Sequence, residues 1–232
     1  MTSRSRHGHF TPELFAFLRA LKRHNERDWF ERNRGRYLEH VRDPMLRFIA
    51  DFEPYLHAVS GHFVADPSPT GGSMFRIYRD VRFSKNRRPY KTAATAQFRH
   101  ERGRDVHAPG FYLHLEPGQV FAASGMWRPD GPSLARIRLA IVNRSQAWKR
   151  MRALRVFRSV FETEGGSRKR PPRGFDPGHP LVEDLRRTDH IVSLSWDEQT
   201  ACSPDFLPRF ARFCRDTSPL MRFLASALDL EW

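Results

Sequence analysis

Basic side chains are concentrated in one stretch of the chain, residues 74–91, which reads MFRIYRDVRFSKNRRPYK. Five arginines and two lysines fall within it, against a single acidic residue, Asp80. Guanidinium and ammonium groups bind carboxylates and phosphates, and the planar guanidinium does so with two parallel hydrogen bonds. The composition of this stretch therefore indicates an anion-binding site.

Residues 75–83 are predicted to form a β-strand, because they are rich in aromatic and β-branched residues and contain neither glycine nor proline. Side chains of a strand alternate between its two faces. Arg79 then shares a face with apolar residues and is expected in or near the core, where its charge needs a carboxylate or carbonyl partners. The opposite face carries the polar and charged residues Arg76, Tyr78, Asp80 and Arg82.

A polar and basic loop is predicted at residues 84–91, before a second strand at residues 92–99. A loop of hydrogen-bond donors between two strands suits the capture of an anion. The loop residues that we assign to the candidate site are Asn86, Arg87, Tyr90 and Lys91.

The predicted strand at residues 110–116 adds a further set of polar side chains. Alternation puts Tyr112, His114 and Glu116 on one of its faces. If this face is continuous with the polar face of residues 75–83, all of these side chains join one polar surface. A single β-bulge would break that continuity.

The Pro- and Gly-rich segment at residues 167–180 is predicted to be a long loop. It contains Arg173, a further candidate for anion binding, and His179, a candidate for acid–base chemistry. If the loop folds over the sheet, it acts as a lid. A histidine before a proline in a loop also serves as a cap or a hydrogen-bonded anchor.

Three functions are compatible with this pattern. The first is an anion-binding protein whose arginines hold the phosphates of a nucleic acid or a nucleotide. The second is an enzyme acting on a small anionic substrate, in which Asp80, Tyr90 or His114 transfers a proton. The third is a structural or protein-interaction domain, in which the arginines form an internal ion-pair network with acids on neighbouring strands.

The sequence also resembles a known family. The arrangement Arg76-x-x-Arg79-Asp80-x-Arg82-Phe83-x-x-Asn86-Arg87-x-x-Tyr90 is similar to the signature RxxRDxRFxx[DN]KxxY of a widespread family of conserved hypothetical proteins. Arg87 stands where that family has lysine, which keeps the charge but not the geometry. Residues 10–13, 25–30 and 169–184 agree with the same family. The resemblance implies one nearly full-length family domain and brings no activity or catalytic residue with it.

The charge balance favours anionic partners. The chain has 232 residues, with 40 basic and 26 acidic side chains and a formal net charge of +14. Such a surplus is typical of proteins that bind nucleic acids, nucleotides or other phosphorylated molecules. Arginine-biased coding would give the same surplus without any such function.

Several classes of protein are not expected. Two cysteines make neither a disulfide framework nor a zinc site. Neither a membrane-spanning run of apolar residues nor a signal peptide is recognisable, so we predict a cytoplasmic protein that does not contact membranes. Phosphate-loop, dinucleotide-binding, zinc-protease and nucleophile-elbow motifs are missing too. We therefore predict neither a metal nor a cofactor.

The elements that must position these side chains form an α+β domain. We predict a flexible tail at residues 1–9 and a single domain at residues 10–230, with a central, mainly antiparallel sheet at residues 74–127 packed by N-terminal and C-terminal helices. Further strands are predicted at residues 119–127 and 190–194. Helices are predicted at residues 12–24, 26–42 with a continuation to 58, 132–143, 145–154 and 181–187, and from 203 to the C-terminus.

Overall fold

The computed structural model describes residues 8–82, 87–103, 108–159 and 162–232. Helices within these ranges are α1 Pro12–Arg23, α2 Arg27–Arg32, α3 Arg34–Tyr37, a π-helical turn Leu38–Arg42, α4 Asp43–His57, α5 Gly131–Asn143, α6 Ser145–Ala153, α7 Arg155–Ser159, α8 Val182–Arg186, α9 Glu198–Ala201 and α10 Phe206–Ala227. The strands are β1 Ala94–Arg99, β2 Gly110–Glu116, β3 Gln119–Met126, β4 Glu162–Glu164 and β5 His190–Trp196.

The five strands form one sheet in the order β1-β2-β3-β5-β4, and all neighbours are antiparallel. The β2–β3 hairpin turns at Gly118, whose φ of +80° is the value that a type II turn requires of its third residue. This confirms the predicted antiparallel sheet and hairpin. The sheet does not end at residue 127, however, because β5 lies beside β3 and carries β4 at the edge.

One face of the sheet is covered by the N-terminal and C-terminal helices, as predicted. Phe98 of β1, Phe52 of α4 and Phe210 of α10 are fully buried together. The ring of Phe52 lies 4.7 Å from that of Phe98 and 4.8 Å from that of Phe210, at the steep angles that aromatic pairs favour. The aromatic core therefore fixes the helices on this face and leaves the other face of β1–β3 for the candidate site.

We call residues 74–91 the arm. Its described residues 75–82 do not form the strand that was predicted at residues 75–83. The described part of the arm (residues 74–82 and 87–91) folds back on itself and touches the edge of the sheet at isolated points, such as the bridge between Met74 and Ala96. Its backbone hydrogen bonds are Phe75 N to Thr95 O (2.9 Å), Arg79 N to Pro89 O (2.8 Å) and Lys91 N to Ile77 O (2.8 Å). Strict alternation between two faces consequently does not apply here.

The helix predicted at residues 26–42 is interrupted. It breaks at Asn33, whose φ of −110° and ψ of 11° lie outside the helical range, and then passes through the π-helical turn into α4. Helix α10 continues unsplit through Pro219. Sequence reasoning did not identify α7, β4 or α9. No helix in the described ranges combines the length and apolarity needed to cross a membrane.

The chain is already packed at the end of the predicted tail. The ring of His9 lies 5.5 Å from that of Phe48, and its Nε2 atom is 2.9 Å from a carboxylate oxygen of Asp51. Residues 1–7 lie outside the described ranges.

Candidate functional site

A pocket of about 670 Å³ lies between the arm and the open face of the sheet. Its floor is formed by β1, β2 and β3, whose register puts Thr95 opposite His114 and His114 opposite Phe121. The residues that line it from the sheet include Thr95, Gln97, Tyr112, His114, Phe121, Ala123 and Ile191 of β5, and those from the arm are Phe75, Arg79, Arg88, Tyr90 and Lys91. The volume is typical of a site for a small organic molecule.

Three basic side chains of the arm line this pocket: Arg79, Arg88 and Lys91. Within the parts of the chain that the structure describes, neither the Arg79 guanidinium nor the Lys91 ammonium pairs with a carboxylate. The Lys91 ammonium lies 5.1 Å from the centroid of the Phe75 ring. Burial, and then the charge of Arg76, lower the pKa of Lys91. Because no carboxylate is among the described lining residues, Arg79 and Lys91 give the pocket positive charge that no acid of the lining compensates.

The position of Arg79 corrects the sequence prediction. We expected this side chain in or near the core with an acidic or carbonyl partner, whereas it is half-buried and lines the pocket. The reason is the irregular backbone of the arm, which does not bury alternate side chains as a strand of the sheet would. In the described part of the arm, Ile77 and Tyr90 are the side chains that enter the core.

Asn25 holds the C-terminal end of the arm in place. Its side-chain amide donates to the carbonyl oxygen of Tyr90 at 3.1 Å, and its Oδ1 atom accepts from the Tyr90 amide at 3.0 Å. The Tyr90 ring stacks on Phe30 at 4.2 Å. Burial raises the pKa of the Tyr90 hydroxyl. Glu26, the next residue, occupies the N-cap position of α2.

A chain of hydrogen-bonded side chains runs along the pocket face of β2, as the alternation of this strand predicted. The Tyr112 hydroxyl lies 3.0 Å from Nδ1 of His114, and Nε2 of His114 lies 3.3 Å from a carboxylate oxygen of Glu116. The Thr92 hydroxyl donates to the other oxygen of Glu116 at 2.8 Å. Burial raises the pKa of Tyr112 to about 12, and burial lowers the pKa of His114 despite the opposing effect of Glu116.

The remaining charged candidates of the arm do not line the pocket. Arg76, Asp80, Arg82 and Arg87 are exposed. Asp80 pairs with Arg82, whose guanidinium donates at 2.7 Å and 3.0 Å and lowers the pKa of the carboxyl to about 2. Tyr78 and Asp80 thus stay outside the polar surface that the sequence suggested. The candidate Asn86 lies outside the described residues.

The loop at residues 167–180 does not contribute to this pocket. Arg173 is exposed on it. The Nδ1 atom of His179 accepts a hydrogen bond from the backbone amide of Leu181 at 3.1 Å, directly before α8. His179 is therefore a local anchor, which is the alternative that a histidine before a proline suggested.

Sequence reasoning did not select three residues that complete the pocket. Phe121 stacks on the His114 ring at 4.7 Å, and Arg88 lines the pocket from the arm. Trp127 is 47% exposed at the rim, with the Arg128 guanidinium 4.7 Å from its ring centroid. The run of apolar residues in the strand at 119–127 gave no sign of which side chains face outwards, because both faces of β3 are apolar.

Among the described residues, a group away from the pocket has the side-chain types of a metal site. Ligand atoms of His62, Glu101 and Glu231 lie within 4.8 Å of one another. Nδ1 of His62 is 2.7 Å from Glu101, and the Arg102 guanidinium is 3.1 Å from Glu231. These ion pairs account for the grouping without a metal ion.

Comparison with known proteins identifies the family but no characterised relative. The family described as conserved hypothetical protein (DUF2461) matches residues 13–223 of the 232. Neither the curated proteins nor the solved structures provide a match. Because the match spans nearly the whole chain, including the arm, Asn25 and all of β2, the protein belongs to the DUF2461 family of conserved hypothetical proteins.

Proposed function

We propose that the protein binds a small anionic molecule with an aromatic or apolar body, in the pocket between the arm and the sheet. The observation that carries this proposal is the set of three basic side chains, Arg79, Arg88 and Lys91, that line an otherwise largely apolar and aromatic pocket. Of these three, Arg79 and Lys91 are half-buried and have no carboxylate partner in the described residues. Each has lost part of its hydration without gaining an opposite charge, which a bound anion would supply. Nucleotides and aromatic carboxylates or phosphates have this chemistry.

The shape of the site favours a small molecule over a polynucleotide. A nucleic acid is held by basic residues that follow its backbone along an open surface. The exposed arginines of the arm (Arg76, Arg82 and Arg87) lie outside the pocket lining, and Arg82 is paired with Asp80. The aromatic ring of a small ligand, by contrast, would contact the rings of Phe75, Tyr112 and Phe121, which line the pocket. Stacking on such rings stabilises a bound base or arene.

The proposal is tested by titrating the protein with 1-anilinonaphthalene-8-sulfonate, an aromatic anion that fluoresces in apolar sites, and by displacing it with adenosine monophosphate and phenyl phosphate. Saturable binding at one site is expected. Arg79→Met and Lys91→Met should each weaken binding about tenfold or more, since a hydrogen bond to a charged group contributes about 1.5–3 kcal/mol.

The matched control is Arg209→Met, which removes an exposed arginine from α10, far from the pocket lining. Its binding should equal that of the unmodified protein. If Arg79→Met and Lys91→Met bind the probe as tightly as Arg209→Met, the pocket is not the anion site. Binding that disappears steeply with salt and requires polynucleotide would point to the nucleic-acid alternative.

A further inference from the structure

The chain Tyr112–His114–Glu116 is a feature of the pocket that anion binding alone does not explain. A strand places side chains two residues apart on the same face, so Tyr112, His114 and Glu116 stand in a row. Both nitrogens of the His114 ring are engaged within this row, one with Tyr112 and the other with Glu116. Tyr112 and His114 line the pocket and Glu116 does not, so the Tyr112 hydroxyl is the oxygen of the row that a ligand in the pocket can meet.

We infer that Tyr112, His114 and Glu116 form a proton-accepting relay that removes a proton from a hydroxyl of the bound anion. This inference rests on the proposed function, since the relay acts on the molecule that Arg79 and Lys91 hold. It makes the pocket a site of general-base chemistry. Asp80 and Tyr90, the other candidates for proton transfer, are not members of the relay.

The direction of the hydrogen bonds follows from the chemistry of the groups. An ionised carboxylate only accepts hydrogen bonds, so Nε2 of His114 donates to Glu116. In a neutral imidazole the other nitrogen then accepts, and the Tyr112 hydroxyl donates to Nδ1. Thr92 also donates to Glu116 and fixes the orientation of its carboxylate. In this arrangement the Tyr112 oxygen can accept a proton from a ligand, and the Tyr112 hydroxyl proton can move to Nδ1 of His114.

The proton transfer is balanced without any further reactant. The ligand gives a proton to the Tyr112 oxygen while the Tyr112 proton moves to Nδ1 of His114. The products are a deprotonated ligand and an imidazolium that Glu116 stabilises. The new negative charge on the ligand lies in the pocket that Arg79 and Lys91 also line. No electron is transferred and no covalent bond other than those to hydrogen is made or broken.

The surroundings of the relay suit this transfer. Thr95 of β1 hydrogen-bonds the Tyr112 hydroxyl and favours its ionised form. Phe121 of β3 stacks on His114 and helps to exclude water. Lys91 of the arm contributes positive charge to the same pocket. Burial lowers the pKa of His114 and keeps its imidazole in the neutral, proton-accepting form, whereas the contact with Glu116 acts in the opposite direction and favours the imidazolium that the transfer produces.

The test uses 4-hydroxy-3-nitrobenzoate, whose carboxylate serves as the anion and whose nitrophenol changes its visible absorption when it loses its proton. Affinity and ionisation of the bound probe are measured separately, as a function of pH. With the unmodified protein, the bound phenol should ionise at least one pH unit lower than it does in His114→Gln. The variant should still bind the probe within about threefold, because Arg79 and Lys91 are unchanged.

Tyr112→Phe is the second variant, because it keeps the ring and removes the oxygen that receives the proton. Its bound probe should ionise as in His114→Gln. His57→Gln, which changes an exposed histidine on α4, is the matched control and should behave as the unmodified protein. Circular dichroism and thermal unfolding establish that each variant is folded before its spectrum is used.

The outcomes separate the two proposals. Probe binding that does not depend on Arg79 or Lys91 contradicts the proposed function. Binding that depends on them, with the same ionisation in the unmodified protein, His114→Gln and Tyr112→Phe, overturns the relay alone. Nitrogen NMR of the free protein provides an independent check, since it should find the His114 proton on Nε2, and a proton on Nδ1 would also overturn the relay.

Discussion

Two regions of the molecule are rich in arginine, and they use it in opposite ways. In the arm, the half-buried Arg79 lines the pocket without an acidic partner in the described residues. Between α5 and β5, Arg138 is only 5% exposed. Its guanidinium donates to the carbonyl oxygens of Leu185 at 2.8 Å and Arg187 at 3.1 Å. Arg138 therefore stabilises the end of α8, whereas the charge of Arg79 is available to a ligand.

The comparison shows that the number of basic residues does not locate a site. The sequence placed Arg79 in or near the core, whereas the structure leaves Arg79 half-buried at the pocket and buries Arg138 instead. The two residues differ in whether backbone carbonyl groups lie close enough to accept hydrogen bonds from the guanidinium. The carbonyl groups at the end of α8 have no partner within so short a helix, so a buried arginine that meets them is stabilised. In the described part of the arm, no carbonyl group accepts a hydrogen bond from the Arg79 side chain.

The comparison predicts the largest loss of stability at Arg138. Arg138→Met removes two charge-assisted hydrogen bonds and leaves buried carbonyl groups without donors, which should lower the free energy of unfolding by about 3 kcal/mol. Arg79→Met should change it by less than about 0.5 kcal/mol. Urea denaturation measures both. Arg136→Met, on the exposed side of the same helix, is the matched control. If Arg138→Met and Arg136→Met lower the free energy of unfolding equally, the hydrogen bonds of Arg138 are not what stabilises this region.

The second prediction concerns the acid sensitivity of the buried basic region. Burial, followed by the charges of Arg187 and Arg138, lowers the pKa of His190 from 6.5 to about 3. The folded protein keeps this imidazole neutral while the unfolded chain takes up a proton, so stability is lost as the pH falls from about 6.5 towards 3. A single such group changes the free energy of unfolding by at most about 1.4 kcal/mol per pH unit.

His190→Gln should therefore reduce the loss of stability between pH 6.5 and pH 4.5 by about 2 kcal/mol, within the bound that this slope sets. Urea denaturation at the two pH values measures the difference. His57→Gln, at an exposed position, should leave the loss unchanged. An unaltered pH dependence in His190→Gln would mean that His190 is not the group that titrates.

The third prediction links the helical N-terminal region to the pocket. Asn25→Ala removes both hydrogen bonds to the backbone of Tyr90 and should lower the free energy of unfolding by about 1–2 kcal/mol. Because it releases the end of the arm that carries Lys91, it should also weaken binding of 1-anilinonaphthalene-8-sulfonate. Asn143→Ala, at the exposed end of α5, is the control. If Asn25→Ala is less stable but binds the probe as tightly as the unmodified protein, the hydrogen bonds of Asn25 are not needed to position Lys91 in the pocket.

Asn25 also illustrates why the fold was easier to predict than the site. Strands at residues 110–116 and 119–126 and the helix at residues 12–23 are specified by local periodicity and by turn residues, and the structure confirms them. The positions of Asn25 and Arg79 depend on contacts between segments far apart in the sequence. The two strand faces could be separated in β2, where polar and apolar residues alternate, but not in β3, where both faces are apolar.

The smallest effect is expected at Asp80, the most prominent acid of the arm. Its carboxylate pairs with Arg82 in solvent, and surface ion pairs contribute little to stability, so Asp80→Asn should leave the free energy of unfolding unchanged within error. A carboxyl with a pKa of about 2 is also a weak base at pH 7. The bound nitrophenol should accordingly ionise in Asp80→Asn as it does in the unmodified protein. If Asp80→Asn instead abolished that ionisation while His114→Gln preserved it, the base would lie on the arm, and the arm would have to close over the pocket when the anion binds.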